Sequence, residues 1–217
     1  LDQLLRGANE SVQVKICGLS DAHHIRTAVE AGADLFGLVF YKPSHRYVTP
    51  QQAEDLVQAL GDKRMQIEVV GLFVNEEAEF INDMAERVGL DIVQLHGNES
   101  PEFCQLIRRP VLKAIHMNDA SDLGKLQGYH ETTWRTLLDT PTPGWGGSGE
   151  AHDWRVARRA AREQHVFLAG GLNPANVAEA IAQVRPWGVD VSSGIETDKV
   201  KDEAKIRTFI VQARTVV

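Results

Sequence analysis

Short aliphatic runs alternate along this 217-residue chain with longer segments whose apolar residues recur every three or four positions. This alternation is typical of repeated strand–helix units, because parallel strands buried on both faces carry few polar residues and each covering helix buries one face. The pattern predicts eight strands, at Val12–Cys17, Asp34–Phe40, Glu68–Val74, Ile92–His96, Val111–Ile115, Trp134–Asp139, His165–Ala169 and Gly188–Ser192.

Three helix starts are marked by a capping residue followed by proline. The pairs are Thr49-Pro50, Ser100-Pro101 and Asn173-Pro174. The polar side chain accepts a hydrogen bond from an unpaired helix N–H, and proline fits the first helical position because no donor is needed there. We therefore expect helices to begin at these sites. The segment Asp119–Gly128 has only Leu123 and Leu126 as an apolar stripe, which predicts a short or irregular helix.

Eight strand–helix units in a chain of this length favour a closed (β/α)8 barrel over a doubly wound open sheet, which usually needs a longer chain for eight strands. We interpret residues 12–217 as one α/β domain, a (β/α)8 TIM barrel with catalytic function, and residues 1–11 as an N-terminal extension. In such barrels the active site lies at the carboxyl ends of the strands. Functional residues are therefore expected directly after each apolar run.

Composition excludes some classes of binding partner and indicates a cellular compartment. The chain has 23 Lys+Arg against 30 Asp+Glu, a net charge of -7, which argues against nucleic-acid binding. Its apolar runs are of strand length, well short of the roughly 20 residues that a membrane helix needs. Two cysteines are too few for a disulfide scaffold, so a reducing cytoplasm is expected. Scattered charges and no surplus apolar stripe favour a monomer, and the first residues are also compatible with a chain once fused to another enzyme.

Glycines and serines follow the last two predicted strands. Gly170 and Gly171 end the seventh, and Ser192, Ser193 and Gly194 end the eighth. Glycines let a ligand approach the backbone, and backbone N–H groups at this position of a barrel form a phosphate site. A barrel of the phosphate-binding type with a monophosphate ligand is therefore predicted, although the two glycines alone are also compatible with a plain tight turn.

A glycine-rich segment follows the sixth predicted strand. Its residues include Gly146, Gly147, Ser148 and Gly149. Glycines 144, 146 and 149 match the Gly-x-Gly-x-x-Gly spacing, but the next strand ends in glycine where a dinucleotide site needs an acidic residue. We interpret the segment as a loop that closes on the ligand, with a flexible surface loop as the alternative.

Two strand ends carry candidate acid–base groups. Cys17 is expected on the same face as Lys15, whose ammonium group would lower the pKa of the thiol, although a cysteine here is also compatible with core packing. Asp139 ends the sixth strand, where it serves either acid–base chemistry or a turn cap.

Cys104 is expected in the core. His96 shares a strand face with Gln94 and serves either a structural hydrogen bond or a ligand contact.

Taken together, the segments resemble the phosphoribosylanthranilate isomerase family of tryptophan biosynthesis. The matching segments include Lys15–Gly18, Val70–Asn75, Val93–Gly97, Leu137–Asp139, Gly146–Gly149, Ala169–Leu172 and Asp190–Glu196, in the family's order. The resemblance implies an Amadori rearrangement of N-(5-phosphoribosyl)anthranilate to 1-(2-carboxyphenylamino)-1-deoxyribulose 5-phosphate, with no metal or organic cofactor.

The resemblance also implies roles for individual residues. Cys17 corresponds to the general base and Asp139 to the general acid, whose pKa must be raised by burial or by the anionic substrate if it is to donate at neutral pH. Arg46 corresponds to the group that binds the anthranilate carboxylate, although His45 replaces the family's usual proline. Asp190 is expected to bind a ribose hydroxyl. The turn after Glu196 lacks the family's glycine and is expected to differ without affecting the chemistry.

Other phosphate-binding barrels fit the sequence less well. The related isomerase of histidine biosynthesis would want an aspartate in place of Cys17. Pentulose-phosphate epimerases would want metal-binding histidines and aspartates at several strand ends, and these are expected to be missing. A phosphosugar-binding module without activity is the alternative from a different class, against which Cys17, Asp139 and Arg46 argue.

Overall fold

The computed structural model describes residues 11–117, 120–139 and 154–216. In these residues, eight parallel strands close into a barrel in sequence order, with β8 paired to β1. The strands are β1 Gln13–Cys17, β2 Leu35–Val39, β3 Glu68–Phe73, β4 Ile92–Leu95, β5 Val111–His116, β6 Arg135–Asp139, β7 Val166–Ala169 and β8 Gly188–Val191. All eight predicted strands and the predicted barrel are thereby confirmed. The glycine-rich segment 146–149 and residues 1–10 of the predicted extension lie outside the described residues.

Helices follow the strands around the outside. They are α1 Ala22–Ala31, α2 Pro50–Gln58, α3 Ala78–Val88, α4 Pro101–Cys104, α5 Leu123–Tyr129, α6 Arg155–Glu163, α7 Val177–Val184 and α8 Glu203–Arg214. The predicted starts after Thr49 and Ser100 are confirmed, since both side chains accept a helix N–H. The short fifth helix is confirmed as well. No helix in the described part of the chain has the length and apolarity needed to span a bilayer.

The predicted start of α7 at Asn173-Pro174 is wrong, because the helix begins at Val177. The side chain of Asn173 accepts a hydrogen bond from the backbone N–H of Ala175, which closes a turn instead of capping the helix. The proline pair thus marks the turn that leads into α7.

Each strand turns one face inward and one face toward the helices. The inner faces of six strands pack together as Leu35, Val70, Ile92, Leu112, Ala114, Leu137, Phe167 and Ala169. The outer faces join the helices in a larger apolar layer. Because side chains alternate along a strand, the last inward positions of the strands all face the mouth of the barrel at its carboxyl end.

The opposite end of the barrel is filled by aromatic side chains around one cation. The guanidinium carbon of Arg135 lies 5.2 Å from the ring centroid of Trp134 and 5.0 Å from that of Trp187. Phe167 is fully buried and contacts Trp187 edge to face, with 5.1 Å between centroids. Such cation–aromatic stacking stabilises a partly buried arginine.

A short antiparallel pair follows β8, formed by β9 Glu196–Thr197 and β10 Val200–Lys201. Asp198 and Lys199 connect the two strands with φ of 52° and 65°. This left-handed turn forms without glycine, and it brings Lys201 back to the mouth of the barrel. The turn after Glu196 therefore bears on the site, contrary to the expectation.

Candidate active site

Cys17 and Lys15 face into the barrel on β1, as predicted. Lys15 is fully buried, and its Nζ lies 2.7 Å from Oδ1 of Asp190 on β8. Gly37 on β2 leaves room for both side chains, because a Cβ at that position would stand 3.0 Å from Cys17 Sγ and 3.3 Å from Lys15 Nζ. The glycine therefore lets a thiol, an ammonium and a carboxylate share the space beneath the mouth.

The expected lowering of the Cys17 pKa is wrong for the ligand-free protein. Burial raises the pKa of the thiol above its ordinary value and outweighs the opposing charges of Lys15 and Lys201. The ammonium of Lys15 is paired with Asp190, whose own negative charge disfavours a thiolate. Burial lowers the pKa of Lys15, but the charges and hydrogen bonds of Asp190 and Cys17 together raise it above its ordinary value, so the lysine stays charged.

Asp139 is the last residue of β6, and two imidazole rings lie beside it. Its Oδ2 lies 3.4 Å from Nε2 of His96 and 3.3 Å from Nδ1 of His116. Burial raises the pKa of Asp139, but contact with the two histidines outweighs burial and holds the pKa below its ordinary value. Of the two expected causes of a raised pKa, burial does not suffice in the ligand-free protein, which leaves the anionic substrate, and the carboxyl group is ionised before substrate binds.

The same three residues could hold a metal ion. Their ligand atoms all lie within 4.8 Å of one another. His96, His116 and Asp139 follow or end three consecutive strands, β4, β5 and β6. The sequence indicated this group, because the alternation of side chains along each strand places all three residues on the inner face of the barrel.

His96 is oriented from below by Gln94. The amide Nε2 of the fully buried Gln94 lies 2.9 Å from Nδ1 of His96. The two side chains share one face of β4, as predicted, and the structural hydrogen bond expected of His96 is present. The ring therefore presents Nε2 to the mouth.

Arg46 reaches the mouth from the loop after β2 and pairs with Glu196. Its Nε and Nη2 donate to the two carboxylate oxygens at 2.6 and 2.9 Å. Lys201 Nζ donates to the same carboxylate at 2.9 Å, and His45 Nε2 lies 3.6 Å from it. Burial raises the pKa of Glu196, but Arg46 and Lys201 together outweigh burial and hold the pKa at about 2. Sequence reasoning missed Glu196 because its partner Arg46 lies 150 residues away, and it missed Lys201 because the β9–β10 turn that brings it back was not predicted.

The two predicted phosphate loops contact each other. Gly170 and Gly171 have φ of 85° and 62°, values that favour glycine. A Cβ on Gly194 would stand 1.9 Å from the backbone oxygen of Leu172, so only glycine allows this approach. Ser192 Oγ donates to the backbone oxygen of Cys17 at 3.2 Å, and Ser193 and Gly194 form a single 3-10 turn with Ile195. The structure therefore brings the predicted phosphate residues together.

A buried ion pair supports the loops after β3 and β4. Lys113 Nζ lies 3.0 Å from Oε2 of Glu99, and both side chains are almost fully buried. Glu99 also accepts from the backbone N–H groups of Asn75 and Gly97. Although burial raises the pKa of Glu99, these hydrogen bonds and Lys113 lower it below its ordinary value. Sequence reasoning missed this pair, which fixes the wall of the mouth beside His96.

Cys104 lies in the core behind this pair, as expected. It is 2% exposed, and burial raises its pKa to about 11. A thiol of this kind is inert at neutral pH.

Comparisons with known proteins agree with this geometry. Residues 14–212 match the family described as N-(5'phosphoribosyl)anthranilate (PRA) isomerase. An N-(5'-phosphoribosyl)anthranilate isomerase from Citrifermentans bemidjiense is 45% identical over 206 residues, which cover 94% of this chain and 98% of the relative.

Two solved structures from the same family are similar as well. The phosphoribosyl anthranilate isomerase of Thermotoga maritima superposes with a TM-score of 0.86 at 42% identity, covering 94% of this chain and 99% of that one. A phosphoribosyl anthranilate isomerase in complex with reduced 1-(o-carboxyphenylamino)-1-deoxyribulose 5-phosphate gives a TM-score of 0.83 at 39% identity, with the same coverage.

The closed barrel and its polar mouth define a (β/α)8-barrel enzyme of the isomerase class. The match extends over nearly all of the barrel, from β1 to α8. The chain belongs to the N-(5'-phosphoribosyl)anthranilate isomerase family of tryptophan biosynthesis. The predicted family, fold and enzymatic function are thereby confirmed.

Proposed function

We propose that Asp139 is the general acid and Cys17 the general base of the Amadori rearrangement of N-(5'-phosphoribosyl)anthranilate. The observation that carries the proposal is the position of both groups at the mouth, Cys17 at the end of β1 and Asp139 at the end of β6. Asp139 protonates the furanose ring oxygen as its bond to C1′ breaks, which gives an imine. Cys17 then takes the proton from C2′, and the released electron pair forms an enolamine that tautomerises to the aminoketose.

For the reaction, Asp139 must be protonated and Cys17 deprotonated, and both states are the reverse of those in the ligand-free protein. Before substrate binds, the histidines beside Asp139 favour its carboxylate, and burial favours the Cys17 thiol. The reaction needs the opposite arrangement, so one proton must pass from the Cys17 thiol to the Asp139 carboxylate. The substrate carries a phosphate and a carboxylate, and negative charge brought near Asp139 raises its pKa. Asp139 thus becomes a proton donor only in the complex.

The phosphate is bound by the two loops in contact, through backbone N–H groups at Gly170, Gly171, Ser193 and Gly194 and the hydroxyl group of Ser192. Support comes from the left-handed glycine backbone and from the close approach of Gly194 to Leu172. Backbone dipoles of this kind bind an anion even in an acidic protein. The predicted closing loop, Gly146–Gly149, lies outside the described residues.

Arg46 binds the anthranilate carboxylate. Its pairing with Glu196 uses Nε and Nη2, so the guanidinium is held in one orientation before substrate arrives. A planar guanidinium suits a carboxylate through two parallel hydrogen bonds. Asp190 has one oxygen at Lys15, and its proposed contact with a ribose hydroxyl involves the other.

The reaction as proposed needs no metal or organic cofactor, because proton transfers alone move the bonds. We further propose a cytoplasmic monomer with a small phosphoribosyl substrate as its partner. The unpaired thiols of Cys17 and Cys104 support a reducing compartment.

The test follows product fluorescence after the substrate is generated in place from anthranilate and phosphoribosyl pyrophosphate by a separate transferase. Asp139→Asn should lower kcat by about 10²–10⁴-fold, the typical contribution of a general acid. The matched control is Asp62→Asn, an exposed aspartate away from the mouth, which should keep the wild-type rate.

Binding of the reduced product analogue, measured by calorimetry, separates chemistry from binding. Asp139→Asn should bind it within a few-fold of wild type. Loss of binding in this variant would make Asp139 a binding group, and an inactive, folded wild type that binds the analogue would indicate a binding module.

A further inference from the structure

His96, His116 and Asp139 form a compact group of two imidazoles and one carboxylate, hereafter the His–His–Asp cluster. The three side chains come from the ends of β4, β5 and β6, which are neighbours in the barrel. One carboxylate oxygen, Oδ2, faces a ring nitrogen of each histidine at 3.4 and 3.3 Å. The cluster opens toward solvent, since His116 has 61% of its side chain exposed.

These distances match those of ligands around a tetrahedral zinc ion. With bonds of about 2.0–2.1 Å and tetrahedral angles, two ligand atoms stand about 3.3–3.4 Å apart. Both nitrogen-to-oxygen distances already have this value. The two ring nitrogens lie within 4.8 Å of each other, so they need to approach by about 1.5 Å or less. Rotation of the exposed His116 ring supplies that movement with little repacking.

Gln94 provides an independent observation. Its side chain is fully buried, and its Oε1 has no hydrogen-bond partner among the described residues, while its Nε2 faces Nδ1 of His96. With the amide rotated by 180°, Oε1 accepts a hydrogen bond from Nδ1–H of His96, and the amide nitrogen takes the position that has no partner among the described residues. That tautomer leaves Nε2 of His96 unprotonated, as a metal ligand requires. Metal-bound histidines are commonly held in this way by an acceptor behind the ring.

We propose that the His–His–Asp cluster binds one divalent transition-metal ion, zinc above all, with its fourth position open to water at the mouth. Imidazole and carboxylate ligands suit Zn²⁺, Co²⁺ and Ni²⁺, whereas Mg²⁺ and Ca²⁺ prefer oxygen ligands. Three protein ligands with an open fourth position is the arrangement found in exchangeable zinc sites.

Metal binding at the cluster inhibits the isomerase. A metal-bound Asp139 carboxylate has no proton to give to the ring oxygen of the substrate. This consequence rests on the proposed role of Asp139 as general acid, whereas binding itself does not. The two statements are therefore tested by separate measurements on the same protein.

The binding test titrates the full chain, freed of metal with a chelator, with Co²⁺ and follows visible absorption. Wild type should bind one equivalent with the d–d bands of a four- or five-coordinate ion. His116→Ala and Asp139→Asn should each weaken binding at least tenfold. His130→Ala, an exposed histidine outside the cluster, is the matched control and should bind as wild type does.

The spectrum also separates the cluster from Cys17, whose thiolate would be a competing ligand for a metal ion at the mouth. A thiolate-to-cobalt charge-transfer band, or a site lost in Cys17→Ala, would overturn the proposal, as would equal binding by wild type and His116→Ala. Retention of the d–d bands in Cys17→Ala supports the cluster.

The activity test adds Zn²⁺ to the fluorescence assay and then a chelator. Zinc should lower the wild-type rate at least tenfold, and the chelator should restore it. His116→Ala should need at least tenfold more zinc for half-inhibition, measured against its own metal-free rate. Metal bound at the cluster without inhibition would refute the role of Asp139 and leave the site intact, whereas inhibition equal in His116→Ala would place the inhibitory ion elsewhere.

Discussion

Arg46 and Glu196 stand 150 residues apart in the sequence and form a two-point ion pair at the mouth of the barrel. Glu196 also accepts from Lys201, so one carboxylate orients two cations beside the phosphate loops. Since the carboxylate is only 7% exposed, the pair is screened little by water. Glu196 thereby holds the guanidinium of Arg46 in one orientation.

Acid should destabilise the wild type more than Glu196→Gln. The pKa of Glu196 is about 2 in the fold, against about 4.3 for an unfolded glutamate. A carboxyl group with a depressed pKa stabilises the fold above its unfolded pKa, and this contribution is lost as pH falls through the folded pKa. Between about pH 5 and pH 2, the wild type should lose about 2–3 kcal/mol more unfolding free energy than the variant.

Urea unfolding at several pH values measures this difference. Glu86→Gln, an exposed glutamate of α3, is the control and should follow the wild-type profile. Parallel acid profiles for wild type and Glu196→Gln would contradict the depressed pKa.

Cys17 should react slowly with iodoacetamide in the ligand-free protein. Burial raises the pKa of its thiol, so little thiolate is present at neutral pH, and only the thiolate is nucleophilic. Mass spectrometry of the labelled peptide should give a rate at least tenfold below that of the same peptide in urea. Rapid labelling of Cys17 in the folded chain would restore the prediction that Lys15 activates it.

Lys15→Met should destabilise the fold by about 3–5 kcal/mol, because it leaves Asp190 buried without its partner. Lys15→Met/Asp190→Leu should lose less than Lys15→Met alone, since the buried pair is then replaced by apolar groups. Chemical denaturation gives both values. Lys63→Met breaks an exposed pair with Glu30 and should cost far less, because exposed ion pairs contribute little to stability. If Lys15→Met and Lys63→Met lost similar free energies of unfolding, burial of Asp190 would not require the charge of Lys15.

Gly194→Ala should weaken phosphate binding at least tenfold. Its Cβ would stand 1.9 Å from the backbone oxygen of Leu172, so the two loops must separate. Gly124→Ala is the control, because no atom lies within 4 Å of its Cβ and alanine favours a helix. Calorimetry with the reduced product analogue compares them, and unchanged affinity in Gly194→Ala would place the phosphate elsewhere.

The sequence predicted the strands well because each is a short apolar run buried on both faces, a signal carried by adjacent residues. It misplaced the start of α7, since the same Asn-Pro pair forms a cap or a turn depending on which backbone N–H the side chain reaches. The positions of Cys17 and Asp139 at the strand ends were predictable. Side chains alternate along a strand, so every second residue faces the mouth.

The protonation of these groups was not predictable in the same way. Lys15 is paired with a carboxylate 175 residues away, and the partners of Asp139 come from two other strands. Such contacts exist only once the barrel closes, and a pKa depends on every charge and on the depth of burial. The spacing of Lys15 and Cys17 predicted their shared face correctly and the direction of the Cys17 pKa shift wrongly.

The aromatic residues around Arg135 limit where water can enter the barrel. With Trp134, Trp187 and Phe167 filling one end and aliphatic side chains packed along the axis, the barrel interior offers no continuous aqueous channel through the described strands. Any proton that Asp139 or Cys17 exchanges with bulk solvent must therefore pass through the mouth, by the route that a ligand would use. Occupation of the mouth by a ligand then isolates both groups from bulk solvent for as long as the ligand stays.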